Sequence, residues 1–159
     1  MDYTEIKGDL FSLCKYDYAL AHCISADFAL GAGIAKEFER RFKIREKLIG
    51  KFGAKWYEGF DKRGGTCIAC GPFPFNFLDV RKVMVFNLVT KKRYWEKPTM
   101  ENMKKALIIL RRQCEKYDIK KLAMPKIGCG LDGLYWNVVS HLIQEVFYDS
   151  DIEITVCFL

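Results

Sequence analysis

Gly128-Cys129-Gly130-Leu131-Asp132-Gly133 follows the apolar run Lys121-Leu122-Ala123-Met124 and precedes a segment of helical period over residues 134–147. A glycine-rich turn between a strand and a helix suits phosphate. Small residues let the backbone come close, and amide N–H groups at the helix start point at the anion. Spelled literally, the stretch is the Gly-x-Gly-x-x-Gly of dinucleotide-binding folds. Only 26 residues follow Gly133, whereas that fingerprint opens the first strand–helix turn of a much longer unit. The stretch therefore reads as a phosphate loop of a different α/β fold, with its third glycine incidental.

Outward from this turn, segments of strand character alternate with segments of helical period. Residues 4–9 alternate, and residues 18–25 form an almost unbroken apolar run, as in a strand covered on both faces. From Ile34 the period changes: Ile34, Phe38, Phe42 and Ile49 recur at helical spacing, with Gly50 and Gly53 as stops. Residues 66–71 and 82–90 read as strands on either side of the turn-rich Pro72-Phe73-Pro74-Phe75-Asn76. Thr99 is placed to N-cap a helix whose apolar positions are Met103, Leu107, Leu110, Cys114 and Tyr117. A strand at 121–126, the helix at 134–147 and a closing apolar strand at 152–159 complete the chain, whose last residues are expected to be packed. The order β-β-α-β-β-α-β-α-β predicts one α/β sandwich with a mixed sheet over residues 1–159.

Bulk composition is that of an ordinary globular chain of 159 residues, 50% hydrophobic and 29% charged. No stretch approaches the ~20 apolar residues of a membrane span, so no membrane partner is expected. The acidic Met1-Asp2-Tyr3-Thr4-Glu5 lacks the basic-then-apolar pattern of a signal peptide. Seven cysteines, an odd number mostly embedded in apolar runs, read as reduced buried thiols rather than a disulfide framework. Cys67-Ile68-Ala69-Cys70 has metal or redox spacing. In a strand, however, positions i and i+3 face opposite sides, and only His22 and His141 could complete a zinc site, so no metal is expected. An intracellular protein, nuclear or cytoplasmic, follows. The net charge of +6 is uneven: Lys36, Arg40, Arg41, Lys43, Arg45, Lys47, Lys51 and Lys55 face only Glu37, Glu39 and Glu46 within residues 36–55. That run is either a solvated helix face or a surface steering a polyanion such as nucleic acid or an ADP-ribosylated protein.

The loop at 128–133 has a counterpart in Gly31-Ala32-Gly33-Ile34-Ala35, between the second strand and the first helix. Two such loops in an open α/β sheet can face one crevice and grip two phosphates. A third element, Lys7-Gly8-Asp9-Leu10, ends the first strand. Its carboxylate either accepts from an exocyclic amine such as that of adenine or forms a turn.

Taken together, Gly8-Asp9-Leu10-Phe11, residues 31–35 and Ile127-Gly128-Cys129-Gly130 resemble the macrodomain family, whose members are ADP-ribose-binding modules. The resemblance covers nearly the whole chain and implies a three-layer α/β/α sandwich with a central mixed β-sheet. Leu20-Ala21-His22-Cys23-Ile24-Ser25, Val89-Thr90-Lys91-Lys92-Arg93 and Met124-Pro125-Lys126-Ile127-Gly128-Cys129-Gly130-Leu131-Asp132 narrow it. They are similar to a macrodomain subclass that hydrolyses terminal ADP-ribose esters on proteins and deacetylates O-acetyl-ADP-ribose. Many other macrodomains carry Asn where His22-Cys23-Ile24-Ser25 stands.

The resemblance implies Lys91 as nucleophile on the anomeric carbon, through an open-ring Schiff base or rearranged sugar adduct, and Asp132 as general acid/base. A lysine attacks only as the free amine, a form that neighbouring cations and burial favour; Lys92 and especially Arg93 are expected to supply such a field. Asp132 is otherwise placed to N-cap the following helix. The resemblance further implies that Asp9 and Leu10 meet adenine, Leu10 through its backbone. Ser25 and Gly31, Ala32, Gly33, Ile34 and Ala35 then lie along the substrate. Lys126, Ile127, Gly128, Cys129, Gly130 and Leu131 wrap the phosphates and distal ribose, and Leu159 closes the adenine end. This scheme needs no cofactor and no metal. Its partners are ADP-ribose and its derivatives and mono- or poly-ADP-ribosylated proteins, met by a monomer. The competing reading is a non-catalytic macrodomain reader, which needs the loops but not the lysine and aspartate. Residues 56–79 are longer and more aromatic than the resemblance leads one to expect.

Overall fold

The computed structural model describes residues 1–74 and 81–159. Its strands are β1 (Asp2–Lys7), β2 (Ala19–Ser25), β3 (Thr66–Pro74), β4 (Lys82–Lys91), β5 (Lys121–Met124) and β6 (Glu153–Phe158). Its helices are α1 (Gly33–Phe42), α2 (Ile44–Phe52), the single turn α3 (Phe60–Arg63), α4 (Met100–Lys116) and α5 (Trp136–Phe147). The six strands form one sheet in the order β1-β6-β5-β2-β4-β3. Only the β3–β4 pair is antiparallel, so the sheet is mixed as expected. Among the described residues, no helix is long and apolar enough to cross a membrane.

Alternation along the strands sends side chains into two separate cores. Leu20 and Ile24 of β2 join Phe38 and Phe42 of α1, and Ile44 and Leu48 of α2, on one face. Ala19 and Ala21 face the other way, toward Met103, Leu107 and Leu110 of α4 and Val139, Ile143 and Phe147 of α5. A parallel sheet needs helical crossovers, and these cover both faces. That is why residues 18–25 read as a continuous apolar run. β1 is an edge strand and almost wholly exposed.

Three expectations are corrected. The helix beginning near Ile34 is broken at Lys43, whose φ of 53° is left-handed. Phe42 and Ile44 must both reach the core, at 5% and 0% exposure, yet residues two apart cannot share one helix face. The left-handed residue between them re-aims α2 so that both are buried. The carboxylate of Glu39 accepts from the amide of Arg45 at 2.7 Å, satisfying a donor at the start of α2. The apolar chain end is not packed either: Leu159 is 95% exposed. The ladder with β1 ends at Lys7 opposite Phe158, one residue short of it. The aromatic turn expected at 72–76 begins inside β3, which runs to Pro74; Phe75 and Asn76 lie outside the described residues.

His22, in the run read as a buried strand, is the centre of a buried polar link across three strands. Its Nε2 donates to Asn87 Oδ1 at 2.7 Å, and Asn87 Nδ2 donates to the carbonyl of Ile68 at 2.9 Å. The ring stacks on Phe38 at 3.8 Å. Burial pushes its pKa down to about 4, against the Asn87 hydrogen bond, which acts the other way. The unfolded chain therefore takes up this proton near pH 6.5, before the folded protein does. Stability present above pH 6.5 is lost as pH falls toward 4, by on the order of 3 kcal/mol. Urea unfolding at pH 7 and pH 4.5 is expected to show this loss in the wild type and a smaller one in His22→Gln. Equal losses in the two proteins would remove His22 as the source.

Candidate active site

Because β2, β4, β5 and β6 run in one direction, the turns leaving them emerge on the same edge of the sheet. A cleft of about 670 Å³ opens there. Its walls are the loop from Ala29 to Ala35 after β2, the turn from Lys91 to Lys97 after β4, and the loop from Pro125 to Asp132 after β5.

Lys91 is the last residue of β4 and lies in register with Ser25 of β2. Its Nζ donates to Asp132 Oδ1 at 2.7 Å, with the two side chains 14% and 20% exposed. Since β2 lies between β4 and β5, this ion pair crosses over the end of β2 and joins the two outer loops. An amine and a carboxylate in direct contact provide a proton path, and the half-buried setting strengthens their coupling. The expected cluster of cations around Lys91 is not what surrounds it. Lys92 pairs with Asp61 at 2.8 Å, and the Arg93 guanidinium lies over the rings of Tyr57 and Trp95, at 4.2 and 5.2 Å. Nor does Asp132 cap α5, which begins four residues later behind Tyr135. Cys23 lies beneath the pair; burial, and then the Asp132 charge, push its thiol up to about 12 and keep it protonated.

The loop after β5 is shaped by its glycines. Gly128 has a φ of 74°, and a Cβ there would stand 2.8 Å from Met103 Cε and 2.9 Å from Leu134 Cδ1. Gly133 is not incidental: at φ 78° its amide closes the short turn over Gly130–Asp132 onto the carbonyl of Gly130 at 3.1 Å. That turn carries Asp132. The loop after β2 ends at Ala32, which leaves the first amides of α1 without a side-chain cap, in residues that line the cleft.

Two non-glycine residues of the loop after β2, Phe28 and Leu30, take left-handed φ values of 56° and 46°. Such strain costs about 1–3 kcal/mol per residue. Phe28 is completely buried and stacks on Trp56 at 5.3 Å, with Phe52 behind at 6.3 Å. Burying a Phe side chain contributes about 1.5–3 kcal/mol and an aromatic pair about 0.5–1.5 more, so packing holds the strained loop. The start of the aromatic stretch 56–79 is thus a buttress for the cleft; its residues 75–79 lie outside the described residues.

Of the residues expected at the site, Ser25, Gly31, Ala32, Gly33, Ile34, Ala35, Lys91, Lys126, Ile127, Gly128, Cys129, Gly130, Leu131 and Asp132 line the cleft. Asp9, Leu10 and Leu159 do not. Asp9 Oδ1 accepts from the amide of Phe11 at 3.1 Å, capping the short helical turn over Leu10–Tyr16, and Leu10 is buried. They adjoin the cleft's flank, where the Gly8 amide donates to Phe158 O at 2.8 Å and Lys126 Nζ lies 4.6 Å from the Phe158 ring.

Sequence reasoning missed Asp27, Tyr94, Trp95, Glu96 and Lys97. Asp27 Oδ1 accepts from the Ser25 hydroxyl at 2.5 Å and the Ala29 amide at 3.2 Å, and its Oδ2 accepts from the Tyr94 amide at 3.0 Å. With the Ala26 amide on the Lys91 carbonyl at 2.8 Å, it binds the loop after β2 to the turn that begins at Lys91. Ser-x-Asp directly after a buried strand was the available signal. Among the described residues, no cluster of His, Cys, Asp or Glu is placed to hold a metal ion.

No protein-family model matches the chain. It is 41% identical over 153 residues to the human ADP-ribose glycohydrolase OARD1, covering 96% of this chain and 89% of that protein. The macrodomain of Mycobacterium tuberculosis DarG superimposes with a TM-score of 0.75 at 24% identity, over 98% of this chain and 96% of that one. Thermosipho africanus DarTG, solved in complex with ADP-ribose, superimposes with a TM-score of 0.77 at 19% identity, over 99% of this chain and 41% of that one. Fold and sequence agree, and the chain belongs to the macrodomain family, among the relatives of ADP-ribose glycohydrolase OARD1.

Proposed function

We propose that the protein is an ADP-ribosyl-ester hydrolase. It removes mono-ADP-ribose from the Glu and Asp side chains of proteins and deacetylates O-acetyl-ADP-ribose, with residues 1–159 acting as one monomeric macrodomain. The observation that carries this reading is the 2.7 Å contact of Lys91 with Asp132, held over the end of β2 between two glycine-bearing loops. The likeness to an ADP-ribose glycohydrolase supports it. A module that only binds ADP-ribose has use for the loop amides but none for a joined amine and carboxylate. The seven free thiols support a reducing compartment, the nucleus or the cytoplasm.

In this reading the loop amides hold the two phosphates and present the distal ribose to Lys91. Asp132 takes the ammonium proton, and the freed amine attacks the anomeric carbon. A C–N bond forms as the C–O bond to the acyl group breaks; the carboxylate leaves with the bonding electrons and takes the proton from Asp132, which is then a base again. The sugar ring opens to a Schiff base. Water adds to the same carbon with Asp132 as base, the C–N bond breaks, and the proton returns to the lysine. Ester and water become carboxylic acid and ADP-ribose.

Lys91→Ala and Asp132→Ala are each expected to lower ester cleavage by at least about 100-fold while ADP-ribose binding, followed by calorimetry, remains measurable. Borohydride added to wild type and ADP-ribose should trap an adduct that maps to Lys91 by mass spectrometry. Normal turnover in both variants, or binding without an adduct, overturns these roles.

Asp27→Asn keeps an acceptor for the Ser25 hydroxyl but sets an N–H donor against the Tyr94 amide. It is expected to lower kcat by about tenfold and to slow trapping at Lys91, with little change in ADP-ribose affinity. Loss of affinity in step with kcat would assign Asp27 to binding instead.

A further inference from the structure

The turn leading away from Lys91 carries two large aromatic side chains that nothing covers. Tyr94 and Trp95 are 62% and 60% exposed, and neither belongs to either core. Their rings meet edge to face at 5.0 Å, and both line the cleft. Leu131, 74% exposed, stands on the facing loop. Apolar surface gathered at the mouth of a cleft marks a contact made with something else.

This surface is held still. The Tyr94 amide is fixed by Asp27 at 3.0 Å. The Arg93 amide donates to Glu96 Oε2 at 2.9 Å, and the Glu96 amide returns to the carbonyl of Arg93 at 3.1 Å. The Arg93 guanidinium backs Trp95, and Lys97 Nζ donates to the carbonyl of Leu131 across the mouth. A rigid aromatic pair gives contact area at little cost in side-chain ordering.

We propose that Tyr94 and Trp95 form the acceptor subsite, the platform on which the polypeptide bearing the esterified Glu or Asp lies. This rests on the hydrolase reading above. If the glycine loops hold the phosphates and Lys91 meets the anomeric carbon, the acyl group leaves toward the one remaining wall, the turn after Lys91. The charge around this turn favours a polypeptide over a phosphodiester chain. Lys91 is matched by Asp132 and Lys92 by Asp61, the Arg93 guanidinium is stacked on the Tyr57 and Trp95 rings, Lys97 is engaged by a carbonyl, and Glu96 adds an acid. A nucleic acid backbone draws on a run of unmatched cations, and such a run lies elsewhere, at the exposed Lys36, Lys43, Lys47, Lys51 and Lys55 on and beside α1 and α2.

The test uses two esters that differ only in the acyl side: O-acetyl-ADP-ribose and a peptide modified on Glu. In the double variant Tyr94→Ala/Trp95→Ala, the ratio of kcat/KM for the peptide ester to that for O-acetyl-ADP-ribose should fall by at least about tenfold, chiefly through KM. Trp95→Phe should recover most of it. An unchanged ratio overturns the proposal, whether both rates fall or neither does.

Calorimetry with an unhydrolysable ADP-ribosyl peptide separates this proposal from the hydrolase reading. The wild type should bind it at least about tenfold more tightly than free ADP-ribose, and the double variant should bind the two alike. That pattern with neither ester cleaved would sink the hydrolase reading and leave the platform standing. Equal wild-type affinities would sink the platform. So would selective loss of an ADP-ribosylated oligonucleotide with peptide binding intact, since exposed aromatic rings also stack nucleobases.

Discussion

Strands β1, β6, β5, β2 and β4 share one direction, and the site depends on that constraint. Parallel neighbours cannot be joined by hairpins, so each connection crosses a face of the sheet, usually as a helix. The crossings dry both faces, and the His22–Asn87 hydrogen bond lies buried within the sheet between them. The same geometry sends each strand's exit to one edge, where turns and helix starts expose their amides. Lys91 and Asp132 are 41 residues apart in the chain, and it is the β5-β2-β4 order that brings them within a hydrogen bond.

The edge is also where local energies run uphill. The loop after β2 holds two non-glycine residues with left-handed backbone, and a Cβ at Gly128 in the loop after β5 would crowd Met103 and Leu134 at a left-handed φ. Each is held by packing from a different core. Phe28 is clamped by α2 and the aromatic residues that follow it, whereas Gly128 sits against Met103 of α4. The Asp27 carboxylate and the Lys91–Asp132 pair then tie the loops to the turn after β4. Polar contacts set the positions of groups at the site; apolar burial supplies the energy that keeps the backbone there.

Much of this could be read from the residues because burial leaves a pattern. A strand covered on both faces is an apolar run, and a helix on a sheet repeats Phe38 and Phe42. The macrodomain motifs carried the cleft: the glycine loops, Lys91 and Asp132. What was not legible was decided at long range. Nothing local marks Lys43 as a break, because the demand arises from a core that Phe42 and Ile44 must both enter. Asp27 resembles any turn-forming aspartate until Tyr94, 67 residues away, is seen beside it. The electrostatics of Lys91 were misjudged for the same reason. Chain neighbours Lys92 and Arg93 suggested a cationic cluster, but Asp61, Tyr57 and Trp95 draw them elsewhere.

The contact of Gly128 with Met103 and Leu134 has a consequence for how this protein tolerates change. Met103 lies fully buried in the first turn of α4 and does not itself line the cleft. It is nevertheless the wall against which the Asp132 loop rests. A substitution that adds volume at Met103 presses on that loop, and a displacement of one ångström is a large fraction of a 2.7 Å hydrogen bond. A core position on α4 thus bears on the placement of Asp132 as well as on stability.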